Sequence, residues 1–235
     1  MKSFVINLAK RKDRLEHVYN NYTSKLLDIE IFNAFDGKNL DNNPKEYIEL
    51  KNEFIHNIKN NNTKNIHYPF FSFNPFTLGE LGCFMSHLIL WKKIITENID
   101  KLIILEDDCI INETFDVVLK DVLENELPTD FNIIFLGGRP EKFYRCDKDV
   151  QISKNISIKY DNNPYGTYSY IISRKGAELL YNYAMNVFKG KLGVDYFIDE
   201  FFKKNNEVIH VISPTITYSL FNNHGENNIF KTDVR

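Results

Sequence analysis

The chain has 235 residues, 43% of them hydrophobic and 26% charged, a balance that fits one large folded α/β-sized domain and excludes a disordered or collagen-like chain. Its formal net charge of −3 and pI near 6.1 leave no overall basic footprint, so nucleic acid is not an expected partner. Three cysteines leave one without an intramolecular mate, and no stretch approaches the ~20 apolar residues of a membrane helix; the expectation is a reduced, cytoplasmic protein without a transmembrane segment, for which peripheral membrane contact stays open.

Ser3 to Leu8 reads as a short strand, followed too soon by charge to be a signal sequence. Lys10-Arg11-Lys12-Asp13-Arg14 then opens a helix with apolar marks at Leu15, Val18, Tyr22 and Leu26. Such a unit brings Arg11 and Arg14 to a helix N-terminus, where free amides and the dipole favour anions and a guanidinium grips phosphate with two hydrogen bonds. A solvated basic turn is the alternative. Ile29 to Asn33 is a second strand ending in Ala34-Phe35-Asp36-Gly37, a turn that places Asp36 to accept from a ribose or base. Residues 41–67 are polar and asparagine-rich, and read as an insertion with a helix near Pro44 to Ile58 and a mobile tip without chemistry.

Thr77-Leu78-Gly79-Glu80 has the form of a capping box, and Phe84, Leu88, Trp91 and Ile95 recur at helical spacing, so a helix burying one stripe is expected. Ser86 and His87 lie beside that stripe, where a histidine is commonly a structural side chain. Lys101 to Leu105 is a continuous apolar run, the pattern of a strand covered on both faces, and it ends in Glu106-Asp107-Asp108. Alternation puts Glu106 and Asp108 on one side and Asp107 on the other until the chain turns away, a D-x-D-like arrangement. Ligands gather beyond the carboxyl ends of strands in open α/β sheets. Anions ~4 Å apart repel by about 1 kcal/mol in water and about 4 kcal/mol at an effective dielectric near 20, so the cluster is solvated, partly protonated or neutralised by a cation. Mg²⁺ or Mn²⁺ suits such oxygens and keeps positions for phosphate; an acidic turn facing water is the other reading.

A helix follows through Phe115 to Leu123, then a buried strand from Phe131 to Gly138, whose glycine pair lacks the spacing of a P-loop. Residues 139–163 read as a hairpin or loop region. Gly166 to Ser173 is a strand leading into a helix capped by Ser173, with Ala177, Leu180 and Tyr181 inward. Gly193 to Glu200 begins another helix, with Asp195 in its first turn and Asp199 on the same face. Val208 to Ile212 is a late strand. In the polar tail, His224 is by spacing equally a metal ligand and an exposed loop residue. The alternation of strands and helices, with no repeat, zinc spacing, nucleophile elbow or Walker A motif, points to an α/β domain with a mainly parallel central sheet flanked by helices.

Taken together, Phe4-Val5-Ile6-Asn7-Leu8 with Arg11 and Arg14, Ala34-Phe35-Asp36-Gly37, Gly79-Glu80-Leu81-Gly82-Cys83-Phe84-Met85-Ser86-His87 with Trp91, Leu105-Glu106-Asp107-Asp108, Gly166-Thr167-Tyr168-Ser169-Tyr170-Ile171-Ile172-Ser173 and Val194-Asp195 resemble, in order, glycosyltransferase family 25. The family includes lipooligosaccharide galactosyltransferases and collagen galactosyltransferase domains. The resemblance implies a single GT-A-like domain over 1–235, a UDP-sugar donor, most often UDP-galactose with UDP-glucose as the alternative, and a need for Mn²⁺ or Mg²⁺. It implies inverting transfer to a hydroxyl of a glycan, lipooligosaccharide or glycosylated protein. By position it makes Glu106 and Asp108 the acids that meet metal and ribose, with Asp107 between them, and puts Asn7, Arg11, Arg14 and Asp36 on the donor side. Ser86 and His87 match a family block and are taken as donor-side too. Asp195 matches a late family aspartate and is taken as the acceptor-side base, with Asp199 and Glu200 as alternatives; His224 is assigned as a further metal ligand, although the tail around it and the asparagine-rich insertion depart from the family pattern. Phe143, Tyr165, Tyr168 and Phe221 are the aromatics suited to packing on sugar rings. Two other classes share the acids: a Mg²⁺-dependent phospho-switch or hydrolase, and a sugar-nucleotide or glycan-binding module without catalysis.

Overall fold

A computed structural model describes residues 1–22, 26–63, 76–137, 150–159, 166–189 and 193–219. Its elements are β1 (Lys2–Asn7), α1 (Lys12–Asn21), β2 (Asp28–Asn33), α2 (Lys45–Thr63), α3 (Leu78–Thr96), β3 (Lys101–Glu106), β4 (Cys109–Ile111), α4 (Phe115–Asp121), β5 (Ile133–Phe135), β6 (Val150–Gln151), β7 (Ile156–Lys159), β8 (Ser169–Ser173), α5 (Arg174–Asn186), α6 (Val194–Asn205), β9 (Ile209–Ile212) and β10 (Thr217–Ser219). Among the described residues, no helix is long and apolar enough to cross a membrane.

The central sheet runs in the order β2-β1-β3-β8-β5-β9-β7-β6. β1 pairs in parallel with both β2 and β3, and β5 with β9, as an alternating α/β chain leads one to expect. β8 enters antiparallel between β3 and β5, and β7 is antiparallel to β9 and β6, so the sheet is mixed. The reversal of β8 has a consequence for the site: its beginning, not its end, lies beside the end of β3. β4 and β10 form a separate antiparallel pair.

The apolar run of β3 divides between two cores, which is why it shows no polar alternation. Leu102 and Ile104 face α2, α3, α5 and α6, while Ile103 and Leu105 face Val18 and Tyr22 and the Phe115 and Leu119 side of α4. α3 lies inside the first core and buries more than the expected stripe: Leu81, Phe84, Met85, Leu88, Ile89, Leu90, Trp91 and Ile94 are all covered, and so are Ser86 and His87. The capping box at its start is formed, with Thr77 Oγ1 accepting from Glu80 N–H at 3.1 Å and Glu80 Oε2 from Thr77 N–H at 2.8 Å. Ser173 caps α5 as its position suggests, accepting from Gly176 N–H at 3.0 Å.

The asparagine-rich stretch is not wholly a polar insertion. Leu50, Phe54 and Ile58 recur every four residues along α2 and are buried in the first core. Phe54 stacks on Phe84 and Phe188 with ring centroids 5.1 and 6.5 Å away. The polar residues occupy the other face of the same helix, and the part of the segment beyond 63, where the mobile tip is expected, lies outside the described residues.

Candidate active site

β1 and β3 are paired with Ile6 opposite Glu106, so Asn7 and Asp107 emerge together at the carboxyl ends of neighbouring strands. Asn7 Nδ2 donates to Asp107 Oδ2 at 2.7 Å. Arg14, from the first turns of α1, places Nη1 2.7 Å from Asp107 Oδ1 and 3.3 Å from Asp108 Oδ2. The chain turns at 107–108, which ends the alternation: Asp107 does not face away from Asp108 but shares its guanidinium. Tyr22, just past α1, holds this turn from below, its hydroxyl 2.8 Å from Glu106 O and 2.7 Å from Cys109 O. Glu106 turns its Oε1 to His87 Nε2 at 3.2 Å and accepts from Thr167 Oγ1 at 3.1 Å, the contact made available by the reversed β8.

These surroundings set the three acids apart electrostatically. Burial, and then the neighbouring Glu106 carboxylate, push the Asp108 carboxyl up to about 7. Burial also raises Asp107, against the pull of Arg14 and Asn7. For Glu106 burial acts the same way, but the hydrogen bonds from His87 and Thr167, together with the charge of Arg14, outweigh it and hold the carboxyl below its ordinary value.

Asp36 sits on the loop after β2. Burial opposes its charge, yet Lys10 Nζ at 2.9 Å and the N–H groups of Lys38 and Asn39 at 3.0 and 3.1 Å hold its carboxyl below the ordinary value. This loop lies flat on the first turns of α3 because two glycines let it. A Cβ on Gly37 would stand 1.9 Å from Leu78 O, and one on Gly82 would stand 2.8 Å from Phe35 O. Ser86 staples the same contact: its Oγ accepts from Phe35 N–H at 2.9 Å and donates to Gly82 O at 2.8 Å.

The acids and this loop face one cavity of about 410 Å³. Of the residues expected from the sequence, Arg14, Asp36, Ser86, His87, Glu106, Asp107, Asp108 and Asp195 line it. Asn7 is not part of the lining; it lies beneath, as a support for Asp107. Arg11 does not line it either, because its guanidinium pairs with Asp13 at 2.9 and 2.7 Å outside the cavity. Asp195, in the first turn of α6, accepts from Tyr196 N–H at 3.0 Å. The alternatives to it point elsewhere: Asp199 is buried in a pair with Lys203, and Glu200 accepts from Tyr183 Oη at 2.9 Å and Lys204 Nζ at 2.6 Å. Tyr168 lines the cavity, while His224, Phe143, Tyr165 and Phe221 lie outside the described residues.

Sequence reasoning missed Lys10, Lys38, Cys83 and Thr167, all of which line the cavity, and the supporting Tyr22 and Tyr170. Thr167 and Tyr170 sit in a quoted motif without a role; Cys83 precedes His87 by one helical turn, a spacing that marks it in retrospect. Among the described residues, the metal-ligating side chains whose donor atoms all fall within 4.8 Å of one another are Cys83, His87 and Glu106.

A family model described as "Glycosyltransferase family 25 (LPS biosynthesis protein)" matches residues 1–198. Human procollagen galactosyltransferase 2 is 29% identical over 204 residues, covering 86% of this chain and 30% of that protein. The lipooligosaccharide biosynthesis protein lex-1 of Haemophilus influenzae is 28% identical over 240 residues, 92% of this chain and 75% of its own. This chain thus spans under a third of the procollagen enzyme and most of the bacterial protein. The apo structure of mouse xyloside xylosyltransferase 1 superposes with a TM-score of 0.42 at 11% identity, over 89% of this chain and 71% of its own, too loosely to argue from.

Proposed function

The chain belongs to glycosyltransferase family 25, and from that premise we propose that it moves a hexose, first of all galactose from UDP-galactose, with inversion to a hydroxyl of a glycan, lipooligosaccharide or glycosylated protein. The GT-A-like arrangement implied by the family goes with this reading. The observation that supports it most is a cluster of buried carboxyls at the end of the central strand, where Asp107 and Asp108 share Arg14 at 2.7 and 3.3 Å. Two carboxylates share one guanidinium and Glu106 stands beside them, a site short of positive charge, and hard oxygen donors of this kind fit Mn²⁺ or Mg²⁺. Glu106 and Asp108 are the residues that would hold such an ion; His224, a further candidate from the sequence, lies outside the described residues. When bound, the ion supplies stabilisation for the charge that grows on a departing diphosphate.

The remaining work falls to the chain itself. Arg14, Lys10 and Lys38 bring positive charge to the cavity wall, where phosphate oxygens are favoured. Asp36, held ionised by Lys10 and two backbone amides, is an acceptor for the hydroxyls of a ribose or the edge of a base. Asp195 takes the proton of the acceptor hydroxyl as it attacks the anomeric carbon. One displacement at that carbon, through an oxocarbenium-like state, reverses its configuration.

With Asp195→Ala, turnover is expected to fall roughly 10²-fold or more, the range lost with a general base, while calorimetric UDP binding stays as in the wild type. Unchanged turnover would remove Asp195 from the mechanism, and full activity in excess EDTA would remove the metal. Tight UDP binding with no turnover of any UDP-sugar would make the protein a binding module.

A further inference from the structure

His87 is fully buried between two partners, its Nδ1 2.7 Å from the Tyr170 hydroxyl and its Nε2 3.2 Å from Glu106 Oε1. On the far side of the phenol, Trp91 Nε1–H donates to the same hydroxyl at 3.1 Å. An indole N–H only donates, so the Tyr170 oxygen receives from Trp91 and its single hydrogen must point elsewhere. Tyr170 is itself fully buried, and among the described residues the acceptor left to it is His87 Nδ1. A ring nitrogen that accepts carries no hydrogen, which puts the imidazole hydrogen on Nε2, facing Glu106. The opposite arrangement would strand a buried phenol hydrogen and set a bare Nε2 against a carboxylate oxygen, two faults that buried polar groups rarely tolerate.

We propose that Trp91, Tyr170 and His87 form a one-way hydrogen-bond relay that makes His87 a positioning residue for Glu106. The inference rests on the donor-site reading given above for Glu106. Among the described residues, the hydrogen bonds to the Glu106 carboxylate, from His87 and from Thr167, both fall on Oε1. Oε2 is thereby the oxygen presented to a ligand in the cavity. The relay also decides a rival use of the same residues. Cys83, His87 and Glu106 bring their donor atoms within 4.8 Å of one another, a set that would suit a thiophilic ion such as Zn²⁺. Ligation through Nε2 needs that nitrogen bare, and the relay places the hydrogen there.

The test uses the whole chain labelled with ¹⁵N at histidine, the His87 signals being assigned by their loss in His87→Gln. The wild-type spectrum is expected to show a neutral ring with Nε2 protonated and Nδ1 hydrogen-bonded and bare, and Tyr170→Phe to shift the Nδ1 signal and let the tautomers mix. An Nδ1–H tautomer or a doubly protonated ring in the wild type overturns the relay, as does an unchanged spectrum in Tyr170→Phe. Addition of Co²⁺ is expected to give no thiolate charge-transfer band; a band that disappears in Cys83→Ser overturns the relay in favour of a metal site. None of these readings depends on turnover, so they decide the relay even if UDP-sugar transfer fails. Where transfer is measured, His87→Leu is expected to raise the donor KM roughly tenfold or more, the loss usual when support is taken from a ligating group, with the acceptor KM unmoved. His87→Gln, whose amide N–H can reach the same oxygen, is expected to recover most of that loss. Equal losses in the two variants, or a change on the acceptor side, overturn the positioning role.

Discussion

Arg14 is shared between Asp107 and Asp108 at 2.7 and 3.3 Å, and all three side chains are buried. Removing one partner from such a group leaves buried charge uncompensated, so Arg14→Met is expected to cost about 3–5 kcal/mol in urea unfolding, far more than the loss of a surface pair. The same burial gives the protein an inverted response to pH. Because the Asp108 carboxyl is raised to about 7, the folded protein retains a proton that the unfolded chain has released above about pH 4. Its contribution to stability is therefore present in mild acid and is lost as the pH climbs to about 7. In EDTA, wild-type stability is expected to drop by about 2 kcal/mol between about pH 5 and about pH 7.5, and Asp108→Asn to flatten that decline; a wild-type curve rising over the same interval would contradict the burial argument. At this scale the acids were legible as a cluster, because three carboxylates after an apolar run stand out. Their partners were not: Arg11 and Arg14 look alike in sequence, and only the turn of α1 sends one to Asp107 and the other to Asp13.

The elements that shape the cavity are those with the clearest local signals. Both expected caps, Thr77 on α3 and Ser173 on α5, are formed, since a cap is decided by residues three apart along the chain. What no local signal announces is how closely α3 approaches the loop after β2. Gly82→Ala would set a Cβ 2.8 Å from Phe35 O, and is expected to push that carbonyl outward, destabilise the protein by about 1–3 kcal/mol and weaken UDP binding through the displaced Asp36. Thermal unfolding and calorimetry would check it, and an unchanged Tm would mean that the loop gives way without cost. The extent of α3 burial was likewise hidden: periodicity suggests a single stripe, while the helix is wrapped by the sheet and three other helices and accepts apolar residues nearly all round.

For the whole molecule, alternating strands and helices were sufficient to indicate the α/β class, whereas strand direction was not, because β8 could enter the sheet either way with the same hydrophobic pattern. Nor was it evident that the asparagine-rich segment helps to hold the domain together. Phe54→Ala in α2 is expected to cost about 3–5 kcal/mol by urea unfolding, the penalty for emptying a large aromatic site in a core; a change below about 1 kcal/mol would restore the view of a polar insertion. That core also encloses Trp91, the chain's one tryptophan, which stacks on Phe197 at 5.7 Å and donates to Tyr170. Its emission should accordingly be blue-shifted and shielded from acrylamide in the native protein. A single indole, excited selectively at the red edge, thus reports, without any label, both when the interior opens and when the polar chain beneath the cavity is disturbed.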